Sequence, residues 1–142
     1  MRFEQEGGLY ETLTAESLPE QTAVIHAEGP KRVIAKKGKV YCLCRFEDIA
    51  CFFVEKGVTY LIDRKYHLKY ITTGSLRDLE SKVYATGFFR VTKKYLVNIN
   101  DISCFRASYK GKIELYLNPL PGEQILISQL RAKQFKKWIR EN

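Results

Sequence analysis

Between residues 31 and 142, apolar side chains recur at every second position in short runs, and turn-forming residues separate the runs. Period-two alternation marks a strand with one face in a core and the other in water. Arg32–Lys36 and Lys39–Cys44 flank Lys37-Gly38, and Ile49–Val54 and Val58–Ile62 flank Glu55-Lys56-Gly57; each set predicts a hairpin. Tyr66, Leu68, Tyr70 and Thr72 alternate with His67, Lys69 and Ile71 and predict a further strand with one basic edge. Ile113–Leu117 alternates cleanly, Pro119–Gly122 reads as a turn, and Gln124–Ile127 predicts another strand.

One stretch departs from this rhythm. In FFRVTKKYLVNINDI, Phe88 to Ile102, alternation holds over Phe89, Arg90, Val91 and Thr92, stops at Lys93-Lys94, and resumes at Tyr95-Leu96-Val97. The pattern predicts two strands, Phe88–Thr92 and Tyr95–Ile99, joined by a basic tip. No carboxylate nearby in the sequence neutralises that tip.

Two segments follow helical spacing instead. Ser75-Leu76-Arg77-Asp78 has the form of a capping box, and Leu76, Leu79 and Val83 share one face of a short helix to about Tyr84. Ser128 is a good N-cap for a second helix running to the C-terminus, with Phe135, Trp138 and Ile139 as its apolar stripe. The last helix therefore docks on a core, and the fold class is mostly β.

Composition refines this picture. The chain has 142 residues, 45% of them hydrophobic, enough for one domain with a sizeable core. Its apolar runs fall far short of the ~20 residues of a membrane helix, and Met1–Tyr10 is too polar for a signal peptide, so a cytoplasmic protein without a membrane segment is expected. The net charge of +8 is unevenly spread. Residues 1–30 hold one base and six acids, −5, and read as an acidic linker or tail; residues 31–142 hold 23 bases and 10 acids, +13. A basic unit of this kind points to a polyanion partner.

The remaining chemistry is sparse. Cys42, Cys44, Cys51 and Cys104 lack the second pair or the histidine spacing of a zinc site, so buried free thiols are expected and no metal. His26 and His67 stand far apart, and no phosphate loop, nucleophile elbow or H-E-x-x-H sequence occurs. A non-enzymatic role without a cofactor follows. Basic and polar residues do gather at predicted element ends. Glu55–Thr59 includes Lys56 and Thr59; Arg90–Lys94 includes Thr92 and Lys93; Ser128–Arg131 includes Gln129. These residue types bond base edges and phosphates in duplex DNA.

Residues 31–140 resemble a LytTR DNA-binding domain, the output module of many bacterial response regulators. Ile49-Ala50-Cys51-Phe52-Phe53-Val54-Glu55 is similar to the family's strand ending in an acid, and Ser75-Leu76-Arg77-Asp78-Leu79-Glu80 to its helix start. Phe88 to Asn98 falls on the F-x-R-x-H-[RK]-S-[YF]-[LI]-V-N block, Ile99–Ile102 follows it, and Ile127-Ser128 with a basic helix matches the ending. The resemblance implies an elongated stack of small antiparallel sheets with two short helices. It also implies double-stranded DNA as partner, read at direct repeats through loops in successive major grooves, by a transcription regulator that forms a homodimer there.

By position, Thr59 falls at the first reading loop and Lys93 at the central base contact. Arg90 and Lys94 fall beside it as phosphate contacts, and Arg131 near the third contact. Thr92 stands where the family has His, and Gln129 and Leu130 where it has basic residues, which puts the third contact's readout in question. Asn98 and Val97 read as structural. The resemblance further implies an upstream receiver domain or histidine kinase. The competing reading is a non-catalytic protein-interaction module of a regulatory or membrane signalling system, its basic face meeting an acidic partner.

Overall fold

Ile49, Ala50, Cys51, Phe52 and Phe53 are buried one after another, without alternation. A strand covered on both faces has no solvent side to mark with polar residues. This strand, β3 (Ile49–Glu55), lies inside a seven-stranded antiparallel sheet. Its companions are β1 (Arg32–Lys37), β2 (Val40–Arg45), β4 (Val58–Asp63), β5 (Lys69–Thr72), β6 (Phe88–Thr92) and β7 (Tyr95–Asn98), in the order β2-β1-β5-β4-β3-β7-β6. A second, three-stranded sheet contains β8 (Ile102–Ala107), β9 (Ile113–Leu117) and β10 (Ile125–Ile127), ordered β10-β9-β8. Two helices complete the described fold, α1 (Leu76–Lys82) and α2 (Gln129–Glu141). The computed structural model describes residues 32–83 and 86–142, so the acidic stretch 1–30, with His26, lies outside the described residues, as do Lys31 and the expected end of α1 at Tyr84. The mostly-β class with antiparallel sheets and two helices is as expected.

Each face of the large sheet has its own core. On one side, Phe46, Ile49, Phe52, Leu61 and Leu96 pack with Leu76, Leu79 and Val83 of the α1 segment. On the other, Cys51, Phe53, Ile62 and Val97 meet Ile113, Leu115, Leu117, Ile125 and Ile127 of the small sheet and Ala132 and Phe135 of α2. The three-stranded sheet covers only part of that second face. Register carries the same face from Phe53 to Tyr60, Ile71, Lys36 and Tyr41. There Ile34, Tyr41, Leu43 and Ile71 remain exposed, beside the edge of β2 that pairs with no other strand among the described residues.

The helix starts follow local chemistry. The Ser75 hydroxyl accepts from the Asp78 N–H at 3.1 Å, and the Asp78 carboxylate accepts from the Ser75 N–H at 3.4 Å, closing the expected capping box. Ser128 caps α2 by accepting from the Arg131 N–H. Asn98 is buried; its Nδ2 donates to the Ile49 carbonyl and its Oδ1 accepts from the Asn100 N–H, which supports the structural reading.

Three expectations need correction. The strand expected from Tyr66 begins only at Lys69, because Asp63 accepts from the N–H groups of Tyr66 and Leu68 and His67 sits at φ 58°, bending the chain into a loop. β8 went unexpected; Ile102 is half-buried and Ser103 through Arg106 are exposed, so it carries little alternation to see. The cysteines are not uniformly buried. Cys51 is, Cys42 and Cys44 are half-buried, and Cys104 is exposed. Among the described residues no group of side chains has the arrangement of a metal site.

Burial pushes the Cys51 thiol up to about 12, with the charges of Asp101 and Glu123 adding to the effect. The nucleophile in alkylation is the thiolate, which needs both exposure and deprotonation. At pH 8 a maleimide reagent should therefore modify Cys104 first and Cys51 only after unfolding. Peptide mapping over a time course checks this, and early labelling of Cys51 would contradict the packed position of β3.

Candidate nucleic-acid interface

Antiparallel pairing brings the ends of four strands to one edge. β3 ends and β4 begins there, β6 ends and β7 begins there. Lys56 and Gly57 join β3 to β4, both at positive φ (52° and 79°). A two-residue turn of this handedness matches the right-handed twist of the flanking strands, and Gly57 adopts it without steric cost. It leaves the Lys56 side chain exposed at the tip.

The second tip is built from Thr92, Lys93 and Lys94. The pairing register shifts between Arg90 and Thr92, and the Thr92 hydroxyl accepts from the Lys94 N–H at 3.0 Å, folding the tip back on itself. The Lys94 carbonyl accepts from the Val54 N–H at 3.1 Å and so ties the tip to β3. Lys93 and Lys94 both project into solvent. Thr59, by contrast, is buried, and its hydroxyl donates to the Gly74 carbonyl at 2.8 Å, ahead of α1. Between these elements lies a cleft of about 450 Å³, lined by Arg77, Arg90, Lys93 and Lys94 together with Gly57, Thr59 and the start of α1.

The third contributor is the first turn of α2. The Arg131 guanidinium lies 4.6 Å from the centre of the Phe89 ring and donates to the Arg90 carbonyl and to Gln134 Oε1. This fastens the start of α2 to the middle of β6. Gln129 is exposed, and its Cγ lies 3.0 Å from where a Cβ at position 111 would sit, so Gly111, at φ 76°, makes room for it. Leu130 is 87% exposed.

Six of the eight sequence-selected residues thus lie at the cleft, the two tips or the first turn of α2: Lys56, Thr92, Lys93, Lys94, Arg90 and Arg131. Gln129 extends the same region, and Thr59 supports it from within. The tip does have a carboxylate close by in space: Glu80 of α1 lies 3.7 Å from Arg90 Nη1. Sequence reasoning passed over Arg77 and Glu80, because both lie in a segment whose capping and helical spacing already explained it. The residues were visible, but the proximity of α1 to the β6–β7 tip was not.

Comparisons with known proteins bear on the family and the fold. The sequence profile of the LytTr DNA-binding domain matches residues 39–140. Among solved structures, the chain is similar to the LytTr DNA-binding domain of a protein described as a methyl-accepting/DNA response regulator from Bacillus cereus. That likeness has a TM-score of 0.67 and 22% identity, over 78% of this chain and 98% of that one. A search of curated proteins found no match.

Proposed function

The chain belongs to the LytTr DNA-binding domain family, and from that premise we propose that it regulates transcription by binding duplex DNA at specific sequences through the edge that carries Lys56, Lys93, Lys94 and the first turn of α2. The observation that supports this reading best is the convergence of two basic tips and a helix start on one side of the large sheet, with their lysines exposed. Lys93 and Lys94 are ammonium donors free to reach guanine edges or phosphates. Leu130 suits contact with the thymine C5-methyl, the apolar feature of the major groove.

In this reading the domain occupies residues 31–142, joined through the acidic stretch 1–30 to whatever regulates it. A receiver domain or a partner kinase would act from that side, inside the cell where its DNA is. Two copies bind direct repeats, each placing its tips in the major groove.

Selection from a randomised duplex pool at moderate salt, with non-specific competitor present, tests the proposal. We expect enrichment of a pair of short direct repeats about one helical turn apart. Retention without enrichment would reduce the basic edge to a generic polyanion surface. No retention at all would favour the protein-interaction reading.

A further inference from the structure

Arg90 is placed oddly for a residue expected to touch phosphate. Its Nη2 donates to the Lys93 carbonyl at 3.1 Å, its Nη1 faces Glu80 Oε1 at 3.7 Å, and its side chain is only 27% exposed. Its Nε is buried and has no hydrogen-bond partner among the described residues. Its own carbonyl accepts from Arg131, whose guanidinium is stacked on Phe89. The group thus links α1, the β6–β7 tip and the start of α2.

We propose that Glu80, Arg90 and Arg131 are positioning residues: they form a strut that holds the Lys93 carbonyl, and hence the reading tip, in its binding geometry, without contacting DNA themselves. This rests on the DNA-binding reading of the same edge. A guanidinium with one N–H on a backbone carbonyl, its charge facing a carboxylate and its Nε buried is turned toward the protein and not outward. The Thr92 and Val54 bonds hold the backbone at Lys94, and freedom left at Lys93 costs affinity when it is ordered on binding. The strut makes that ordering part of the folded structure.

The inference gives Glu80 an effect of unexpected sign. An acid beside a DNA-binding edge repels phosphates, so Coulomb's law alone makes Glu80→Gln tighten binding. The strut makes the same substitution weaken it, because Arg90 loses its charged partner and the tip loosens. Arg90 gives a second contrast. A phosphate contact removed by Arg90→Ala lowers the slope of log affinity against log salt by about 1, whereas a positioning residue weakens binding with the slope kept.

The experiment uses the full chain and a duplex enriched by the selection above. Affinities of wild type, Glu80→Gln, Arg90→Ala and the double variant are measured across a salt series. In parallel, trypsin cleavage after Lys93 and Lys94 is followed by mass in the free proteins. We expect Glu80→Gln to bind roughly three- to tenfold more weakly in the wild-type background and to change nothing further in the Arg90→Ala background. The wild-type salt slope should be kept, and cleavage at Lys93 and Lys94 should accelerate in both single variants. Tighter or unchanged binding by Glu80→Gln, or a slope lowered by Arg90→Ala, overturns the strut. If wild type enriches no duplex, the DNA-binding reading fails instead, and unchanged cleavage would then dispose of the strut separately.

Discussion

Lys93→Ala lowers affinity for a selected duplex by about 1–3 kcal/mol, roughly five- to 150-fold, and relaxes the base preference at one position of each repeat. The expectation follows from the tip. Lys93 lies between Thr92, whose hydroxyl holds the Lys94 N–H, and Lys94, whose carbonyl is fixed to Val54. The backbone on both sides is therefore anchored while the side chain is free and exposed. A fixed base for a free ammonium is what direct readout needs, since the donor must reach O6 or N7 of one guanine and not its neighbour. Lys94→Ala provides the contrast. As a phosphate contact its loss weakens all sequences alike and lowers the salt slope by about 1. Binding curves for the selected site and a scrambled duplex, each at several salt concentrations, separate the two. If Lys93→Ala leaves both affinity and preference unchanged, the β6–β7 tip does not read DNA.

The largest effect on stability is expected at Phe135. Phe135→Ala should cost about 3–5 kcal/mol, a large share of the 5–15 kcal/mol that holds a domain of this kind folded. The side chain is fully buried, and its ring centre lies 5.0 Å from Phe105, 5.9 Å from Trp138 and 6.2 Å from Phe89. These rings come from three elements, β8, α2 and β6, so the cavity left by truncation cannot collapse without moving all three. Phe89 also carries the Arg131 guanidinium, so the loss should reach the DNA-binding edge. Urea unfolding followed by tryptophan fluorescence measures it, since Trp138 stacks on Phe89 with centroids 5.0 Å apart. A cost below about 1 kcal/mol would mean that α2 does not complete this core in solution.

Much of the fold could be read from the residues alone, and the reason is physical. Period-two alternation located most strands, and the Ser75 and Ser128 caps located both helix starts, because these patterns express local geometry. What escaped were features decided by distant partners. Tyr66 and Leu68 alternate like a strand, yet Asp63 bonds their N–H groups and turns the chain. β8 is a strand because β9 lies beside it, not because its own residues alternate. At the candidate site, the residue types and their order identified the basic tips. Only the fold showed that Thr59 donates inward to Gly74, and that Arg90 and Arg131 hold backbone carbonyls. Spacing along a chain cannot distinguish an arginine that reaches outward from one that braces its neighbours.

The uncovered flank of the large sheet bears on how the chain is made. β1 and β2 are complete once Arg45 has been synthesised, but β1 pairs on its other side with β5, through Ala35 and Thr72. At ordinary rates of translation that partner follows on the order of seconds later. A lone two-stranded hairpin is marginal in water. Until β5 arrives, Val33 and Ala35, which later enter or border the α1-side core, are as open to solvent as Ile34, Tyr41 and Leu43 on the opposite face. Synthesis thus makes first, among the described strands, the pair that waits longest for a neighbour, and it is this pair that keeps an apolar face after folding is complete.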